Sequence, residues 1–460
     1  MKNYIYVFLS NSSGLLISIF TFTILPQTLT VTEYGYWQMY YLYASFLGLF
    51  TFGITDGFHL KYSGSTRKSL NKKSVKSTLL LVVALNTFGG MFIFFLSFLF
   101  GSSSYETTII RFLSFTLVFF NSYGFFLHLS QVTSQFKEYS LLLMLDKLLF
   151  LIGIFILYIS EQLHVSNVIA LFLGIKIILS LKSFITNISY FSKNIKLELI
   201  NIFESFQLIK SGIILMLLLL ISNLLINYPR VIFSYKEDIK SFALLSFAFS
   251  LILVIVQVLS SASVIFFQSI SKVSDSLTHK YLDMTSRLIS SLFPVLVFFY
   301  MIIKFLIPIF FLKYIEIMEY LYLIFPIILI QIRYNLLILN CYKKEGALKE
   351  ILFNSLIHLI LGFSLIFLVS QNIKVSLFIY IILHLSNSIF LNERLRNKFK
   401  YQIHYSWKEF VYILLFIIFN SSYFNHLVIV LNILLITTYI FINYSLYKSL
   451  IIYNYKKVSE

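Results

Sequence analysis

Long, uninterrupted apolar stretches dominate this sequence, and they leave few folds open to it. Runs of about 17–25 apolar residues recur along the chain, separated by short polar or basic segments. Membrane β-barrel strands would be only about ten residues long and would alternate apolar with polar side chains. Helices satisfy their own backbone hydrogen bonds in lipid. We therefore predict an all-α polytopic membrane protein with 12–14 transmembrane helices.

Fourteen candidate spans follow from this pattern, and the last two are short. They cover residues 5–25, 36–58, 78–100, 108–130, 141–160, 166–185, 211–229, 241–266, 288–309, 318–340, 352–370, 375–392, 409–424 and 427–447. Only 12% of the residues are charged, against about 25% in an ordinary soluble domain. The loops are too short to hold a soluble catalytic domain.

The distribution of basic residues predicts the orientation in the membrane. With the N-terminus in the cytoplasm, 25 of the 36 Lys and Arg residues fall in cytoplasmic segments and five in outer loops. Basic residues accumulate on the cytoplasmic side of membrane proteins. This asymmetry predicts an inner or plasma membrane protein with both termini in the cytoplasm. It also accounts for the net charge of +17 without nucleic acid as a partner.

The spans divide into two sets around a central polar segment. Between Ile195 and Ile209, apolar residues recur at helical spacing and predict an amphipathic surface helix. We expect six-helix bundles at 1–186 and 211–400, joined by a cytoplasmic linker at 187–210. Residues 401–460 would add two helices and a cytoplasmic tail. Two such bundles are typical of transporters that rock around a central cavity.

Charged side chains within the spans are the first candidates for a functional site, because burying charge in lipid is costly. Six basic residues lie there: Arg111, Lys147, Lys176, Lys182, Lys304 and Arg333. The acidic candidates are Asp56 and Asp146, and Asp146 and the adjacent Lys147 are expected to neutralise each other in part. Long basic side chains near span ends can reach the interface, whereas Lys176 and Arg333 lie nearer the span centres.

An excess of buried cations predicts an anionic substrate, and arginine suits phosphate because it can bind two oxygens at once. The first span also carries polar and small residues on one face, from Asn11 to Thr21. Such a stripe can pack helices or line a lumen for sugar hydroxyls. Cys341 is the single cysteine, and no spacing of ligands indicates a metal site. We therefore predict no cofactor, no metal and no catalytic residue.

Three segments resemble a known family. They are Leu29-Thr30-Val31-Thr32-Glu33-Tyr34-Gly35-Tyr36-Trp37, Phe52-Gly53-Ile54-Thr55-Asp56-Gly57-Phe58-His59-Leu60-Lys61-Tyr62, and the region from Ile209 to Ala248 with Tyr228-Pro229-Arg230. They resemble the polysaccharide repeat-unit flippases of O-antigen and capsule clusters. These belong to the multidrug/oligosaccharidyl-lipid/polysaccharide exporter superfamily. The similarity covers about a quarter of the chain.

The resemblance implies a substrate, an oligosaccharide on an undecaprenyl pyrophosphate carrier, and transport by alternating access for surface polysaccharide synthesis. Polysaccharide polymerase machinery would be a further partner beside the lipid bilayer. The implied charge contacts are Arg333, Lys176, Lys304 and Arg230. Gating would involve Gly35, expected in a turn, and Asp56, expected to end the second span with Lys61 close enough to balance its charge.

Three other functions remain open at this point, one of them a non-transporting scaffold for a glycan machine. Another is a drug or small-molecule exporter of the same superfamily, which would be expected to use buried carboxylates. The third is a membrane polysaccharide polymerase, which would be expected to carry a sizeable outer loop with catalytic residues.

Overall fold

A computed structural model describes most of the chain. The described residues are 14, 17, 18, 20–100, 104–191, 199–260, 263, 266, 270, 275–401, 407–421, 425–444, 447 and 448. Within these ranges the chain is helical and contains no strand, which confirms the predicted all-α class.

The helices are numbered in chain order. The first nine are α1 (residues 20–28), α2 (Val31–Ala44), α3 (Ile54–Tyr62), α4 (Lys72–Phe100), α5 (Ser104–Val132), α6 (Phe136–Ile159), α7 (Val165–Thr186), α8 (Leu199–Lys236) and α9 (Ile239–Ser260). The remaining seven are α10 (Asp275–Ser291), α11 (Phe293–Phe310), α12 (Leu321–Lys344), α13 (Leu348–Leu368), α14 (Ile373–Phe399), α15 (Trp407–Asn420) and α16 (Asn425–Ile442).

Ten helical stretches of the described chain are long and apolar enough to cross a bilayer. They correspond to the third through twelfth predicted spans. The last two predicted spans appear as the shorter apolar helices α15 and α16. Much of the first predicted span lies outside the described residues. The chain is thus a multi-pass membrane protein.

The second predicted span is broken, so the prediction of one continuous helix over 36–58 is wrong. A capping box starts α2, because the Thr30 hydroxyl accepts from the Glu33 amide and the Glu33 carboxylate accepts from the Thr30 amide. A 3₁₀ turn follows α2, and the backbone is then left-handed at Phe52 (φ 50°) and Gly53 (φ 79°) before α3 begins. Hydropathy could not reveal this break, since both sides of it are apolar.

A pair of glycines allows α3 to lie directly against α8. A Cβ atom at Gly57 would be 2.0 Å from the carbonyl oxygen of Leu208. One at Gly212 would be 2.0 Å from the carbonyl oxygen of Gly53. Small residues at helix crossings let backbones approach closely, which is the usual means of packing helices in lipid.

The chain forms two compact units. Unit 1 contains residues 1–227 and 237–243, and unit 2 contains 228–236 and 244–460. The described part of the predicted linker, from Leu199 onward, is continuous with the predicted seventh span in the 38-residue helix α8. The predicted division into bundles, linker and additional helices stays a prediction.

In unit 2, the two C-terminal helices are packed with the rest. Helix α16 lies along α11, and α15 contacts the start of α12. Within the pair, Asn420 of α15 and Asn432 of α16 exchange two side-chain hydrogen bonds of 3.1 and 3.0 Å. Hydrogen bonds between side-chain amides of neighbouring helices hold the helices together in lipid. Helices α15 and α16 therefore form a hairpin within unit 2.

Candidate functional site

A buried lysine–aspartate pair lies within unit 1. The Nζ atom of Lys176 on α7 is 2.6 and 2.7 Å from the two carboxylate oxygens of Asp146 on α6. The Lys176 ammonium also lies 4.9 Å from the ring centres of Tyr123 and Phe172. The carboxylate and the aromatic faces together replace the water that a lysine would otherwise bind.

The expected partial neutralisation of Lys147 by Asp146 takes the form of a coulombic attraction without an ion pair. Consecutive residues on a helix point in different directions and cannot face each other. Asp146 pairs across the helices with Lys176. Among the described residues, no carboxylate lies within ion-pair distance of Lys147.

Beside this pair lies a cavity of about 130 Å³, which we call the aromatic cavity. Its lining residues are Ile17, Ser18, Thr21, Phe22, Leu25, Tyr34, Trp37, Tyr41, Asp146, Lys147, Phe150, Phe172 and Ile175. Two residues of the predicted polar stripe, Ser18 and Thr21, thus face a cavity within unit 1, while Gly14 of the same stripe lies against the Lys147 side chain. Asn11, the first residue of that stripe, lies outside the described residues.

A second cavity of about 250 Å³ opens at the break between α2 and α3. Asp56 lines it together with Asn121 and His128 of α5 and Asn223 of α8. The Asn121 amide bridges the chain, donating to the Leu47 carbonyl at 2.9 Å and to the side chain of Asn86. The break therefore brings a buried carboxylate and several amides to one cavity.

The expected helix-ending role of Asp56 is wrong. Asp56 lies in the first turn of α3, where a carboxylate is favoured by the helix dipole. Lys61 at the other end of α3 pairs with Glu204 of α8 instead. Glu204 also accepts hydrogen bonds from Tyr62 at 3.0 Å and Ser74 at 3.1 Å. The hydrogen bond from Lys61, followed by those from these hydroxyls, lowers the pKa of Glu204 despite partial burial.

Gly35 does not form the predicted turn. It lies inside α2 and is buried, and a Cβ there would be 2.7 Å from the backbone oxygen of Ile239. The glycine is thus explained by close packing of α2 against the first residues of α9. Its proposed part in gating stays a prediction.

In unit 2, Arg333 of α12 is buried and forms an ion pair that was not predicted from the sequence. Its guanidinium is 2.5 Å from the Glu409 carboxylate of α15, and the two side chains are 3% and 4% exposed. The guanidinium also donates to the Ser290 hydroxyl of α10 at 3.2 Å, and Ser290 donates to Glu409. Tyr439 of α16 donates to the Ser290 carbonyl at 2.8 Å.

This network joins four helices of unit 2. Arg333 directly precedes a π-helical turn at Tyr334–Ile338 within α12. Such turns commonly accompany functional sites in helices. Through Glu409 and Tyr439, α15 and α16 contribute buried polar contacts to unit 2.

The other two predicted charge contacts also lie in unit 2. Arg230 was expected in an outer loop, but α8 continues through it, and the side chain is buried and donates to the Ser246 hydroxyl of α9 at 3.2 Å. Lys304 is half-buried in α11, and no described side chain forms an ion pair with it. No described hydrogen bond or ion pair joins Arg230, Lys304 and Arg333 to one another. Whether these residues contact a substrate stays a prediction.

No group of three or more metal-ligating side chains occurs in the described part of the chain. Each unit contains a buried ion pair among its described residues, and two of the cavities of unit 1 have polar side chains in their lining.

Comparison with known proteins bears on the fold. No family model and no curated protein matches the chain. The lipid II flippase MurJ, in an inward closed conformation, superposes with a TM-score of 0.70 at 14% identity, over 96% of this chain and 99% of that chain. The eukaryotic MATE transporter AtDTX14 superposes with a TM-score of 0.61 at 12% identity, over 86% of this chain and 95% of that one.

A transporter of the MOP superfamily from Pyrococcus furiosus also matches, with a TM-score of 0.52 at 12% identity, over 86% and 95% of the two chains. At these identities the likeness establishes the fold. The chain has the helical fold of MOP superfamily transporters.

Proposed function

We propose that the protein is a flippase that carries undecaprenyl-pyrophosphate-linked oligosaccharide repeat units across the inner or plasma membrane for surface polysaccharide synthesis. The observation that carries the proposal is the similarity to a lipid II flippase along nearly the whole of both chains. That protein's name specifies a lipid-linked substrate. The motif resemblance in the first 65 residues and around Pro229 supports the same class.

Alternating access is the proposed mechanism, with both termini in the cytoplasm and the lipid tail remaining in the bilayer. Lys304, Arg230, Arg333 and Lys176 are the proposed contacts for the pyrophosphate. Lys304 is the most available of these cations, because it has no ion-pair partner among the described residues while Arg333 and Lys176 have carboxylates. Gating by Gly35 and Asp56, and association with a polymerase machinery, belong to the same proposal.

The similarity to MATE transporters favours a second candidate, the export of small molecules. An exporter of organic cations would be expected to offer uncompensated carboxylates within the membrane. Of the acidic groups within the spans, Asp146 and Glu409 are already paired with Lys176 and Arg333, and the buried Asp56 has no described ion-pair partner. Two cations within the spans, Lys147 and Lys304, likewise have no described ion-pair partner. The charge balance therefore supports an anionic substrate.

The test is deletion of the gene, followed by mass spectrometry of extracted lipids. We expect complete lipid-linked oligosaccharides to accumulate and surface polysaccharide to disappear. Complementation with Lys304→Gln should restore less surface polysaccharide than wild type at equal protein level, while Lys349→Gln, which alters an exposed lysine, should restore it fully. Unchanged surface polysaccharide without accumulation would favour the exporter. Single exported units that remain unpolymerised would indicate a polymerase.

A further inference from the structure

The lining of the aromatic cavity of unit 1 combines an aromatic wall with charged and polar side chains. One wall consists of aromatic rings, with Trp37 stacked on Phe150 at 5.5 Å between ring centres. Phe172 packs edge-on against Trp37 at 6.0 Å and against Tyr41 at 6.3 Å. These contacts fix the rings in place, so the wall is preformed.

Another part of the cavity's edge is polar. Asp146 and Lys147 line it, and so do the hydroxyls of Ser18 and Thr21. The two hydroxyls donate to backbone carbonyls one turn earlier, at 2.8 and 3.0 Å. Their lone pairs remain able to accept hydrogen bonds from a ligand. A ligand with one apolar face and a rim of hydroxyls would match both walls.

The charges at this edge do not cancel. Asp146 is bonded through both oxygens to Lys176, and Lys147 has no carboxylate partner among the described residues. Two ammonium groups against one carboxylate leave one positive charge. Gly14 leaves room for the Lys147 ammonium, since a Cβ atom at Gly14 would be 3.1 Å from the Lys147 Nζ atom. An aromatic wall alone would attract an organic cation, but Lys147 opposes one and favours an anionic group.

The size of the cavity limits what can enter. The cavity, at about 130 Å³, is close in volume to an engineered apolar cavity of about 150 Å³ that holds one benzene ring, so it has room for at most one six-membered ring. Tyr41 at the cavity's edge is 44% exposed, so substituents of that ring can extend outward. A longer chain of sugars would therefore place only one residue inside.

We propose that the aromatic cavity binds one pyranose ring that carries an anionic group, with the ring against Trp37 and Tyr41 and the anion on Lys147. This inference rests on the proposed function, of which it specifies the sugar-recognition site. The anionic ring could be a uronic acid within the oligosaccharide or the sugar attached to the carrier phosphate. Both sources share the chemistry that the cavity recognises.

The chain offers a direct spectroscopic probe. It contains two tryptophans, Trp37 and Trp407, so a Trp407→Phe variant of the full-length protein leaves Trp37 as its only tryptophan. Its fluorescence would be followed in detergent during titration with glucuronate, glucose 1-phosphate, glucose, inorganic phosphate and choline. We expect saturable changes with glucuronate or glucose 1-phosphate, and about tenfold weaker binding of glucose, because it lacks the charge-assisted bond. Whichever of the two charged probes binds more tightly identifies the source of the ring.

The control variants separate recognition from folding. Lys147→Met in the same background should bind the charged sugars about tenfold more weakly, to the level of glucose. Lys182→Met, which removes an exposed lysine of α7 outside the cavity, should bind as the parent does. If Lys147→Met does not fold, a salt titration of the parent serves instead. Raising the salt concentration should weaken glucuronate and glucose 1-phosphate binding but leave glucose binding unchanged.

Four results would overturn the proposal: equal binding of glucose and the charged sugars, binding of inorganic phosphate as tight as that of the tighter charged sugar, tighter binding of choline, or no saturable change with any probe. Because the assay measures occupancy and not translocation, its failure is distinct from failure of the flippase proposal. Accumulation of lipid-linked oligosaccharide on gene deletion would still support the flippase if the cavity bound none of these sugars.

Discussion

The buried ion pairs of the two units differ in the exposure of their side chains. In unit 2, Arg333 and Glu409 are 3% and 4% exposed, and Ser290 completes their hydrogen bonding. In unit 1, Lys176 is 5% exposed, but its partner Asp146 is 23% exposed and lines the aromatic cavity. The first pair is sealed among helices, whereas the second presents one member to a space that a ligand can enter.

This difference separates two reasons for keeping charge inside a membrane protein. A sealed pair with all its hydrogen bonds made can fix how helices pack, and a pair at a cavity can also contact substrate. A third pair, Lys61 with Glu204, lies outside the predicted spans with side chains 40% and 29% exposed. The three pairs thus form a series from sealed to exposed, and their disruption should have effects in the same order.

The largest effect is expected at Glu409. Glu409→Gln removes the carboxylate that pairs with the buried Arg333 guanidinium at 2.5 Å. Breaking a buried pair in this way costs about 3–5 kcal/mol. We expect a marked fall in the thermal unfolding temperature of the purified protein and in its level in membranes. Glu393→Gln, on the exposed face of α14, is the matched control and should change neither.

The double variant Arg333→Leu with Glu409→Leu sharpens this prediction. Replacing a sealed pair by apolar residues is often neutral or stabilising, so the double variant should recover most of the stability that Glu409→Gln loses. If it also restores surface polysaccharide, the pair is structural and the proposed contact of Arg333 with substrate is wrong. Recovery of stability without transport would instead support that contact.

An intermediate effect is expected at Asp146. Asp146→Asn leaves the Lys176 ammonium with its aromatic neighbours Tyr123 and Phe172, and the asparagine oxygen can still accept one hydrogen bond. We expect a loss of about 1–3 kcal/mol in the free energy of unfolding, less than for Glu409→Gln. Denaturation of the purified variants under identical conditions measures the order. A larger loss at Asp146 than at Glu409 would contradict the distinction between the two units.

Much of the helical framework could be predicted from the sequence, because lipid imposes a length of about 20 apolar residues on each spanning helix. The predicted spans at 141–160 and 166–185, for example, correspond to α6 and α7. The break at Phe52 and Gly53 could not be predicted in this way. It depends on two left-handed backbone conformations, and hydropathy averages over them.

The candidate site was less predictable than the helices. Helical geometry alone indicates that Asp146 and Lys147 cannot face each other, so their separation could have been foreseen. The pairing of Arg333 with Glu409 could not, because the two residues are far apart in sequence and meet only through the packing of α12 with α15. Glu409 also begins its predicted span, where a carboxylate is easily assigned to the interface.

The smallest effect is expected at the exposed pair. Lys61→Met should lower the free energy of unfolding at pH 7 by about 0.2–1 kcal/mol, as is usual for surface pairs. The pair lowers the pKa of Glu204 below its ordinary 4.5, so its stabilisation is present above that value and is lost as the pH falls through the lowered pKa. The difference in unfolding temperature between wild type and Lys61→Met should therefore shrink from pH 7 to below pH 4. Lys68→Met, which alters an exposed lysine in the segment after α3, should show no such trend. A loss at Lys61 as large as that at Asp146 would mean that burial does not set the order of the three pairs.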